Sequence, residues 1–273
     1  MKEPSIAVLF ITLNEEYHIG SAIDNVKDIA SEIWVIDSGS TDRTVEIAES
    51  KGVKVVYNKF ENFGAQWNFA LSLPIKSRWT MKMDPDERLR EELKYEIKDA
   101  LCNPSGFVGF EFDRVLWFMG KPMRGWKDRV VRIWLTGKCH FTDVIVNEHP
   151  LVDGKVRCLK SKMDHLDSKD LHHWIEKQNM YTTQGALAMY SGAKLAASPK
   201  FLGTRLERRM WFKRVFFRLP FRYALMFVQL YFGKMLWREG KTGWYCAIMR
   251  IWVRRSLEAK VIEMQNSFKV QKA

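Results

Sequence analysis

Short apolar runs alternate with helix-length segments over the first hundred residues, and this alternation restricts the possible folds more than any other feature. Four runs rich in β-branched and aromatic residues predict strands, whereas the segments between them carry apolar residues at helical spacing. The predicted order is strand 6–12, helix 15–26, strand 32–36, helix 41–50, strand 53–57, helix 63–73, strand 78–83 and helix 90–101. Such alternation is typical of an α/β fold with a parallel, doubly wound sheet.

The pattern changes after Pro104. Segments 107–117, 128–135 and 155–159 predict strands without helices between them, so we expect this half to be a mixed sheet or rich in loops. Helical spacing returns over 165–190, from a start near Asp167, and again over 205–218, 223–237 and 243–257. We therefore expect one α/β domain over residues 1–197, followed by a helical extension over residues 198–273.

The predicted extension holds all of the excess positive charge. The whole chain carries a formal net charge of +12, and residues 198–273 contain 17 Lys and Arg against 4 Asp and Glu, together with 15 aromatic residues. Basic, aromatic-rich segments suit an anionic membrane surface, but they also occur as helical cores with charged exteriors or as nucleic-acid-binding surfaces. We favour the membrane surface, keep the helical core as the main alternative, and expect nucleic acid least of the three.

Cysteine spacing and hydropathy exclude several classes of protein. The four cysteines are scattered without a CxxC pair, so we expect neither a zinc site nor a disulfide framework. The longest uncharged run of the basic segment covers the 11 residues 223–233, whereas a membrane-spanning helix needs about 20. The apolar run before Asn14 is too short for a signal peptide. We therefore expect a cytoplasmic protein that does not cross a membrane.

Carboxylates follow two of the predicted strands at the point where each strand ends. Asp37 follows strand 32–36, while Asp84 and Asp86 follow strand 78–83 in the sequence Asp-Pro-Asp-Glu. In an open α/β sheet, ligands bind in the crevice beyond the carboxyl ends of the strands, and a buried carboxylate without a partner is costly. The pattern therefore predicts a bound cation or a ligand with hydrogen-bond donors. Oxygen ligands of this kind suit Mg²⁺ or Mn²⁺.

Each of these segments also has an ordinary structural interpretation. The loop 12–16 can begin a helix that Asn14 caps, and the turn after Asp37 can lead into a helix that Ser40 or Thr41 caps. The acidic turn after strand 78–83 can simply be solvated. One by one, the motifs leave these alternatives open, and their order along alternating strands is what favours a nucleotide-diphosphate site.

In combination, seven segments resemble the family 2 glycosyltransferases, nucleotide-sugar-dependent enzymes of the GT-A fold. They are ITLNEE, VIDSGSTDRTVEIA, FGAQWNFAL, MKMDPDE, RVVRIW, VNEHP and HLDSKDLHHWIEKQNMYT, and they span roughly residues 5–195. The resemblance is close to the branch that adds glucose to the inner-core heptose of lipopolysaccharide. It implies a Rossmann-like, mostly parallel sheet with flanking helices, a nucleotide-binding half over about 1–104 and an acceptor half over about 105–197.

The resemblance also implies roles for individual residues. In the nucleotide pocket it places Thr12, Leu13, Glu15 and Asp37, with Asp37 on the uracil, and beside the nucleotide it places Gly64 and Asn68. It places Asp84 at the ribose or diphosphate and Asp86 on a divalent metal, Mn²⁺ or Mg²⁺. It implies that Glu148 is the catalytic base. His165 matches a histidine of the family pattern and can approach the metal or the phosphates. The chain departs from the pattern at Pro85, where the branch has a small residue such as Ala, and in the sequence Val-Asn-Glu-His in place of Val-His-Glu.

Together these roles imply an inverting, metal-dependent transfer of a hexose, expected to be glucose, from a UDP-sugar to a lipopolysaccharide-core or other surface-glycan acceptor. A cytoplasmic enzyme held at the inner face of the inner membrane by its basic extension fits a lipid-linked acceptor. The alternatives are another nucleotide sugar or a polyprenyl-phosphate acceptor and, from a different class, a non-catalytic membrane- or nucleic-acid-binding protein. Lys127, Arg129 and Arg132 are expected either to face the diphosphate or an acidic acceptor, or to lie on a solvated strand edge.

Overall fold

The computed structural model describes residues 4–142, 148–192, 198–216 and 219–270. The chain groups into two compact units. The first unit comprises Met1–Trp117, Lys127–Thr142 and Pro150–Lys169, and the second comprises Phe118–Trp126, Asp143–His149 and Asp170–Ala273. The predicted domain boundary at residue 197 lies outside the described residues and stays a prediction.

The first half of the chain has the predicted alternation of strands and helices. It consists of β1 (Ile6–Thr12), α1 (Ile19–Val26), β2 (Glu32–Asp37), α2 (Thr44–Ser50), β3 (Lys54–Tyr57), α3 (Phe63–Ser72), β4 (Trp79–Met83), β5 (Glu87–Leu89) and α4 (Glu91–Cys102). The helix α3 ends just before Pro74, and Leu73 is extended with ψ 155°, as expected for a residue that precedes proline. The short strand β5 was not predicted, because its three residues are too few to show an apolar alternation.

The second half continues the same sheet with strands of both directions. It adds β6 (Gly109–Phe118), β7 (Lys121–Leu135), β8 (Cys139–Phe141), β9 (Pro150–Val152) and β10 (Val156–His165). The main sheet has the order β3-β2-β1-β4-β7-β6-β10-β5, and β8 pairs with β9 separately. The strands β3, β2, β1 and β4 are parallel, β7 runs antiparallel to β4, and β10 runs parallel to β6 but antiparallel to β5. The expected mixed sheet is confirmed.

Both faces of the parallel strands are buried, which explains why β1 is a continuous apolar run. Val8 and Phe10 belong to a cluster that includes the apolar faces of α1 and α4. Leu9 belongs to the opposite cluster, where it packs with Trp67 of α3. These four side chains are fully buried, so the parallel strands hold fixed positions for the loops that follow them.

The second unit contains the helices of the C-terminal region. They are α5 (Leu171–Tyr190), α6 (Arg205–Phe216), α7 (Arg222–Val228) and α8 (Gly240–Val270), with a π-helical turn Gln229–Gly233 and a 3₁₀ turn Leu236–Glu239 between the last two. The helical extension is confirmed, although the predicted helix 223–237 is broken into these shorter pieces. Among the described residues, no helix has both the length and the apolar character that crossing a bilayer requires.

The helix α5 begins at Leu171 rather than near Asp167. The side chain of Asp170 caps it by accepting a hydrogen bond from the backbone N–H of His173 at 2.8 Å. In the middle of the same helix, Lys260 of α8 donates to Asn179 Oδ1 at 2.6 Å and to Thr183 Oγ1 at 2.7 Å. These bonds tie α5 to α8 within the second unit.

Glu32 provides a test of the fold because its carboxylate accepts bonds from a distant loop. It accepts from the backbone N–H groups of Lys76 and Ser77 at 2.9 and 2.8 Å. We predict that Glu32→Ala lowers the free energy of unfolding by about 1–3 kcal/mol, because it leaves these donors without a partner. Urea denaturation measures the change. Glu49→Ala, at an exposed position of α2, is the control and should change it by less than about 0.5 kcal/mol; an equal loss in both variants would contradict the prediction.

The same carboxylate predicts a pH dependence. Burial raises the pKa of Glu32, but hydrogen bonds from Ser77, Trp34 and Lys76 outweigh it and hold the pKa below its ordinary value of 4.5. Its contribution to stability is therefore complete above that value and is lost as the pH falls through the folded pKa. The difference between wild type and Glu32→Ala should shrink in acid, and a difference that stays constant down to the acid limb would contradict this.

Candidate active site

The register of the parallel strands brings the ends of β1, β2 and β4 together. Thr12 lies opposite Asp37 in the β1–β2 pair, and Phe10 lies opposite Met83 in the β1–β4 pair. Asp84 follows Met83 directly, so the loops that begin at Thr12, Asp37 and Asp84 leave the sheet at one edge. This is the edge at which the sequence predicted a ligand site.

Asp37 organises the loop after β2. Its Oδ1 accepts from Thr12 Oγ1 at 3.0 Å and from Ser40 Oγ at 2.5 Å, and its Oδ2 accepts from the backbone N–H groups of Gly39 and Ser40 at 2.8 Å. The residue is 3% exposed. With two donors on each oxygen, the carboxylate has its full complement of hydrogen bonds within the protein.

The loops after β1 and β2 bind each other. The backbone N–H groups of Glu15 and Glu16 donate to Thr44 Oγ1 at 2.7 Å and to Asp42 Oδ2 at 3.0 Å. Asn14, at φ 56°, accepts from the backbone N–H of Thr41 at 2.8 Å. These bonds replace helical ones, which explains why α1 and α2 start several residues later than predicted and why neither Asn14 nor Ser40 caps a helix. Of the predicted pocket residues in these loops, Leu13 is the exposed one.

The helix α3 is fixed against the chain around Phe141 by two of its predicted site residues. Asn68 exchanges two hydrogen bonds with the backbone of Phe141, at 2.8 and 3.1 Å. A Cβ atom at Gly64 would lie 2.3 Å from the carbonyl oxygen of Thr142, so only glycine permits this approach. Gln66, which was not predicted, donates to Ser38 Oγ at 3.1 Å and so connects α3 to the loop after β2.

The acidic segment after β4 is a tight turn. The backbone N–H of Glu87 donates to the carbonyl of Asp84 at 3.0 Å, which places Pro85 at the second position of a β-turn, where its fixed φ is favoured. Arg88 holds the turn from outside by donating to the carbonyl of Pro85 at 2.7 Å and to that of His18 at 3.1 Å. Pro85, the departure from the family pattern, therefore suits the conformation of this turn.

Asp84 lies between two buried cations. Arg132 Nη2 is 2.8 Å from Asp84 Oδ2, and Lys82 Nζ is 4.0 Å from Asp84 Oδ1. Burial alone raises the pKa of Asp84, but the charges of Arg132 and Lys82 outweigh it and lower the pKa to about 2. Arg132 is therefore not on a solvated strand edge. Arg129 instead pairs with Asp113 at 3.1 Å, and the side chain of Lys127 lies outside the described residues.

Asp86 meets two residues from the end of β10. The short strand β5 pairs antiparallel with β10 so that Glu87 lies opposite His165, and the backbone N–H of Leu166 donates to the carbonyl of Asp86 at 2.8 Å. His165 Nε2 is 3.4 Å from Asp86 Oδ2, and one ligand atom each from Asp86, His165 and Asp167 lie within 4.8 Å of one another. Two carboxylates and an imidazole form a donor set that suits Mn²⁺ and accommodates Mg²⁺. The residues therefore fit the divalent metal that the resemblance implied.

The predicted site residues on the strand-end loops thus occupy one edge of the sheet, in two groups, while Gly64 and Asn68 lie on α3 against the chain around Phe141. Thr12, Glu15 and Asp37 are joined by the interlocked loops, while Asp84 and Asp86 lie on the turn after β4. Glu148 belongs to the second unit, where it is half-buried directly before His149 and β9, and its catalytic role stays a prediction. Residues 143–147, which include the start of its motif, lie outside the described residues.

Four further residues at this edge had no role predicted from the sequence. They are Lys82, Glu87, Gln66 and Asp167. Lys82 and Glu87 lie on either side of the acidic turn in sequence. The sequence signal available for Lys82 was a charged residue inside an otherwise apolar strand. Asp167 lies two residues after His165, and that spacing was visible, but it fell within a segment predicted to be helical.

Known proteins with similar sequences support the resemblance to family 2 glycosyltransferases. The model of the family described as glycosyl transferase family 2 matches residues 7–144, half of the chain. An uncharacterized glycosyltransferase of Rickettsia typhi is 28% identical over 228 residues, covering 78% of this chain and 76% of the relative. The lipopolysaccharide core biosynthesis glycosyltransferase LpsC of Rhizobium meliloti is 25% identical over 275 residues, covering 93% and 94%.

Among solved structures, glucosyl-3-phosphoglycerate synthase from Mycobacterium tuberculosis, in complex with Mn²⁺, UDP and glucosyl-3-phosphoglycerate, is similar at 24% sequence identity with a TM-score of 0.35. The match covers 42% of this chain and 44% of the synthase. At that score, the overlay supports no conclusion about this chain.

The family match includes nearly all of β1 to β8 and the site residues described above except Glu148, His165 and Asp167. Its extent confirms the resemblance seen in the sequence motifs. The eight-stranded sheet with flanking helices has the GT-A architecture that this resemblance implied, and a long helix follows at the C-terminus. The chain belongs to glycosyl transferase family 2 and is a glycosyltransferase.

Proposed function

We propose that the protein is an inverting, metal-dependent hexosyltransferase that uses a UDP-sugar, expected to be UDP-glucose, and a lipopolysaccharide-core or other surface-glycan acceptor. The observation that carries this proposal is the cluster of Asp86, His165 and Asp167 next to Asp84, at the sheet edge where nucleotides bind. The cluster offers two oxygens and one nitrogen to a cation, and its buried position excludes most of the competing water.

In this proposal the interlocked loops form the nucleotide pocket. Thr12, Leu13 and Glu15 line it, and Asp37 faces the uracil. Since Asp37 already accepts four hydrogen bonds, a uracil N–H would replace a hydroxyl donor, from Thr12 or Ser40, and those hydroxyls can rotate away. The backbone donors of Gly39 and Ser40 would keep the carboxylate oriented during that exchange. Gly64 and Asn68 would support the pocket by holding α3 in place.

Asp84 and Asp86 have different roles in the proposed chemistry. Asp84, held by Arg132 and Lys82, accepts hydrogen bonds from the ribose, while Asp86, His165 and Asp167 hold the divalent cation. When bound, that cation neutralises the charge that develops on the departing diphosphate. Glu148 takes the proton from the acceptor hydroxyl as that oxygen attacks the anomeric carbon. One direct displacement inverts the anomeric centre.

The nature of the acceptor rests on the relatives and on the second unit. LpsC is named for lipopolysaccharide core biosynthesis, and it aligns with nearly the whole chain. In the second unit, Leu225, Val228 and Phe232 follow one another at helical spacing along α7 and the π-helical turn, Phe221 directly precedes α7, and all four are exposed. Exposed basic residues, including Arg208, Arg214, Arg238 and Lys241, belong to the same unit. Exposed apolar side chains and positive charge in one unit suit insertion into an anionic inner-membrane surface.

The metal role predicts a dependence of nucleotide affinity on Mn²⁺. Isothermal titration calorimetry should show that Mn²⁺ strengthens UDP binding to the wild type, and that Asp86→Asn and His165→Ala each reduce this gain by at least about tenfold. His172→Ala is the matched control, since His172 is an exposed residue of α5, and it should keep the gain. An unchanged affinity in Asp86→Asn would exclude Asp86 as a metal ligand.

The proposed base predicts a loss of transfer without a loss of donor binding. Glu148→Gln should bind UDP with wild-type affinity, whereas its kcat for sugar transfer should fall by about 10²–10⁴-fold, as for other general bases. Glu49→Gln, an exposed carboxylate of α2, should change neither quantity. Transfer by Glu148→Gln at the wild-type rate would remove Glu148 from the mechanism.

The membrane role predicts that one exposed aromatic contributes to vesicle binding. Phe221 is 85% exposed, and Phe221→Ser should weaken binding to anionic phospholipid vesicles by about tenfold, because a buried aromatic contributes about 1.5–3 kcal/mol. Tyr95→Ser on α4, also at an exposed position, should have no effect. Equal binding of wild type and Phe221→Ser, or binding of RNA in place of vesicles, would contradict the membrane assignment.

A further inference from the structure

We infer that Arg132 is a positioning residue for the donor, because it fixes the orientation of the Asp84 carboxylate through a buried cluster of ion pairs that we call the Arg132 cluster, comprising Arg132, Glu87, Arg114 and Asp84. This inference rests on the proposed function, since it assigns to Asp84 a contact with the nucleotide sugar. It adds a residue outside the acidic turn, on β7, to the set that determines donor affinity.

The cluster is buried and closely connected. Arg132 is 4% exposed and Glu87 is fully buried. The Nη2 atom of Arg132 binds both Asp84 Oδ2, at 2.8 Å, and Glu87 Oε1. Glu87 Oε1 also accepts from Arg114 Nη1 at 3.1 Å, and Glu87 Oε2 accepts from the backbone N–H of Asp84 at 3.0 Å. The side chain and the main chain of Asp84 are therefore held by the same group of residues.

Strand register explains how these residues meet. Met81 of β4 lies opposite Ile133 of the antiparallel β7, which brings Arg132 to the end of β4 where Asp84 begins the turn. Arg114 lies on β6, the next strand of the sheet, opposite Met163 of β10. The cluster thus runs beneath the acidic turn from one strand to the next, and it ends at the carboxylate of Asp84.

A purely structural role does not account for this arrangement. Buried ion pairs contribute little to stability compared with apolar residues of similar volume, because the charges lose their hydration. The Nε atom of Arg132 is buried and has no hydrogen-bond partner among the described residues, which adds a further cost. Asp84, by contrast, keeps 30% of its side chain exposed, so the cluster has an open end at the site.

Both oxygens of Asp84 are constrained. Arg132 holds Oδ2, and Lys82 Nζ lies 4.0 Å from Oδ1 while it packs over the ring of Trp67 at 4.3 Å. A carboxylate that is hydrogen-bonded at Oδ2 and attracted to a cation near Oδ1 has a preferred orientation for its remaining lone pairs, which suits hydrogen bonds from a pair of ribose hydroxyls. Without Arg132, Asp84 would turn toward Lys82 or water, and the donor would lose affinity rather than reactivity.

Steady-state kinetics with UDP-glucose and Mn²⁺ tests the inference. Arg132→Met should raise the KM for the donor by about tenfold with kcat nearly unchanged, because the lost interaction lies away from the reacting atoms. Asp84→Asn should have a similar effect, and the double variant should be no worse than Asp84→Asn, because Arg132 acts through Asp84. Arg132→Lys, which keeps the charge, should recover part of the donor affinity.

Arg129→Met is the matched control. Arg129 lies on the same strand as Arg132, but it pairs with Asp113 at 3.1 Å and is not a member of the Arg132 cluster, so its donor KM should stay at the wild-type value. If Arg132→Met fails to fold, Arg132→Lys takes its place in the comparison, with a raised donor KM and a preserved melting temperature as the expected result.

Failure of the proposed function and failure of this inference give different results. A wild type that neither binds nor transfers any UDP-hexose would overturn the proposed function and this inference with it. A wild type that transfers sugar, together with Arg132 variants that keep the wild-type donor KM or show effects additive with Asp84→Asn, would overturn the inference alone. A lowered melting temperature with an unchanged KM would assign Arg132 to the fold and not to the donor.

Discussion

The compensation of buried carboxylates at the strand ends is the constraint on which the rest of the site depends. The buried Asp37 and Glu87 and the partly buried Asp84 each accept a bond from a distant part of the chain, since burial without partners would cost several kcal/mol. The partners come from neighbouring strands and loops, so the sheet must be correctly assembled before these carboxylates can be buried. The fold and the geometry of the site are in this sense specified together.

The same constraint gives the carboxylates of the acidic turn different surroundings. Asp84 lies beside Arg132 and Lys82, whose positive charges disfavour a further cation at this carboxylate. Asp86 lies beside the imidazole of His165 and the carboxylate of Asp167. A shared cation would relieve the repulsion between the two carboxylates. Two residues of one turn would therefore differ in function under the proposed mechanism, because Asp84 is paired by Arg132 of β7, whereas Asp86 lies beside His165 and Asp167 at the end of β10.

The parallel half of the fold could be predicted from sequence because its signals are local. Apolar runs such as 6–12 are buried on both faces, and turn residues such as Pro74 end the helices. The site was predicted less completely, since its remaining partners come from distant strands: Arg132 reaches Asp84 across 48 positions, and β5 forms only because β10 is present to pair with it. Side-chain hydrogen bonds between the loops also make α1 and α2 begin at later residues than predicted, because local helical spacing contains no information about such bonds.

Electron–nuclear double resonance on Mn²⁺ bound to the protein together with UDP tests the central claim most directly. If Asp86, His165 and Asp167 hold the metal, we expect hyperfine coupling of the metal to phosphorus of UDP and to a histidine nitrogen, with the nitrogen coupling absent in His165→Ala. Coupling to phosphorus and water alone in the wild type would contradict it, because Mn²⁺ would then reach the protein as a nucleotide complex without Asp86, His165 and Asp167 as its ligands.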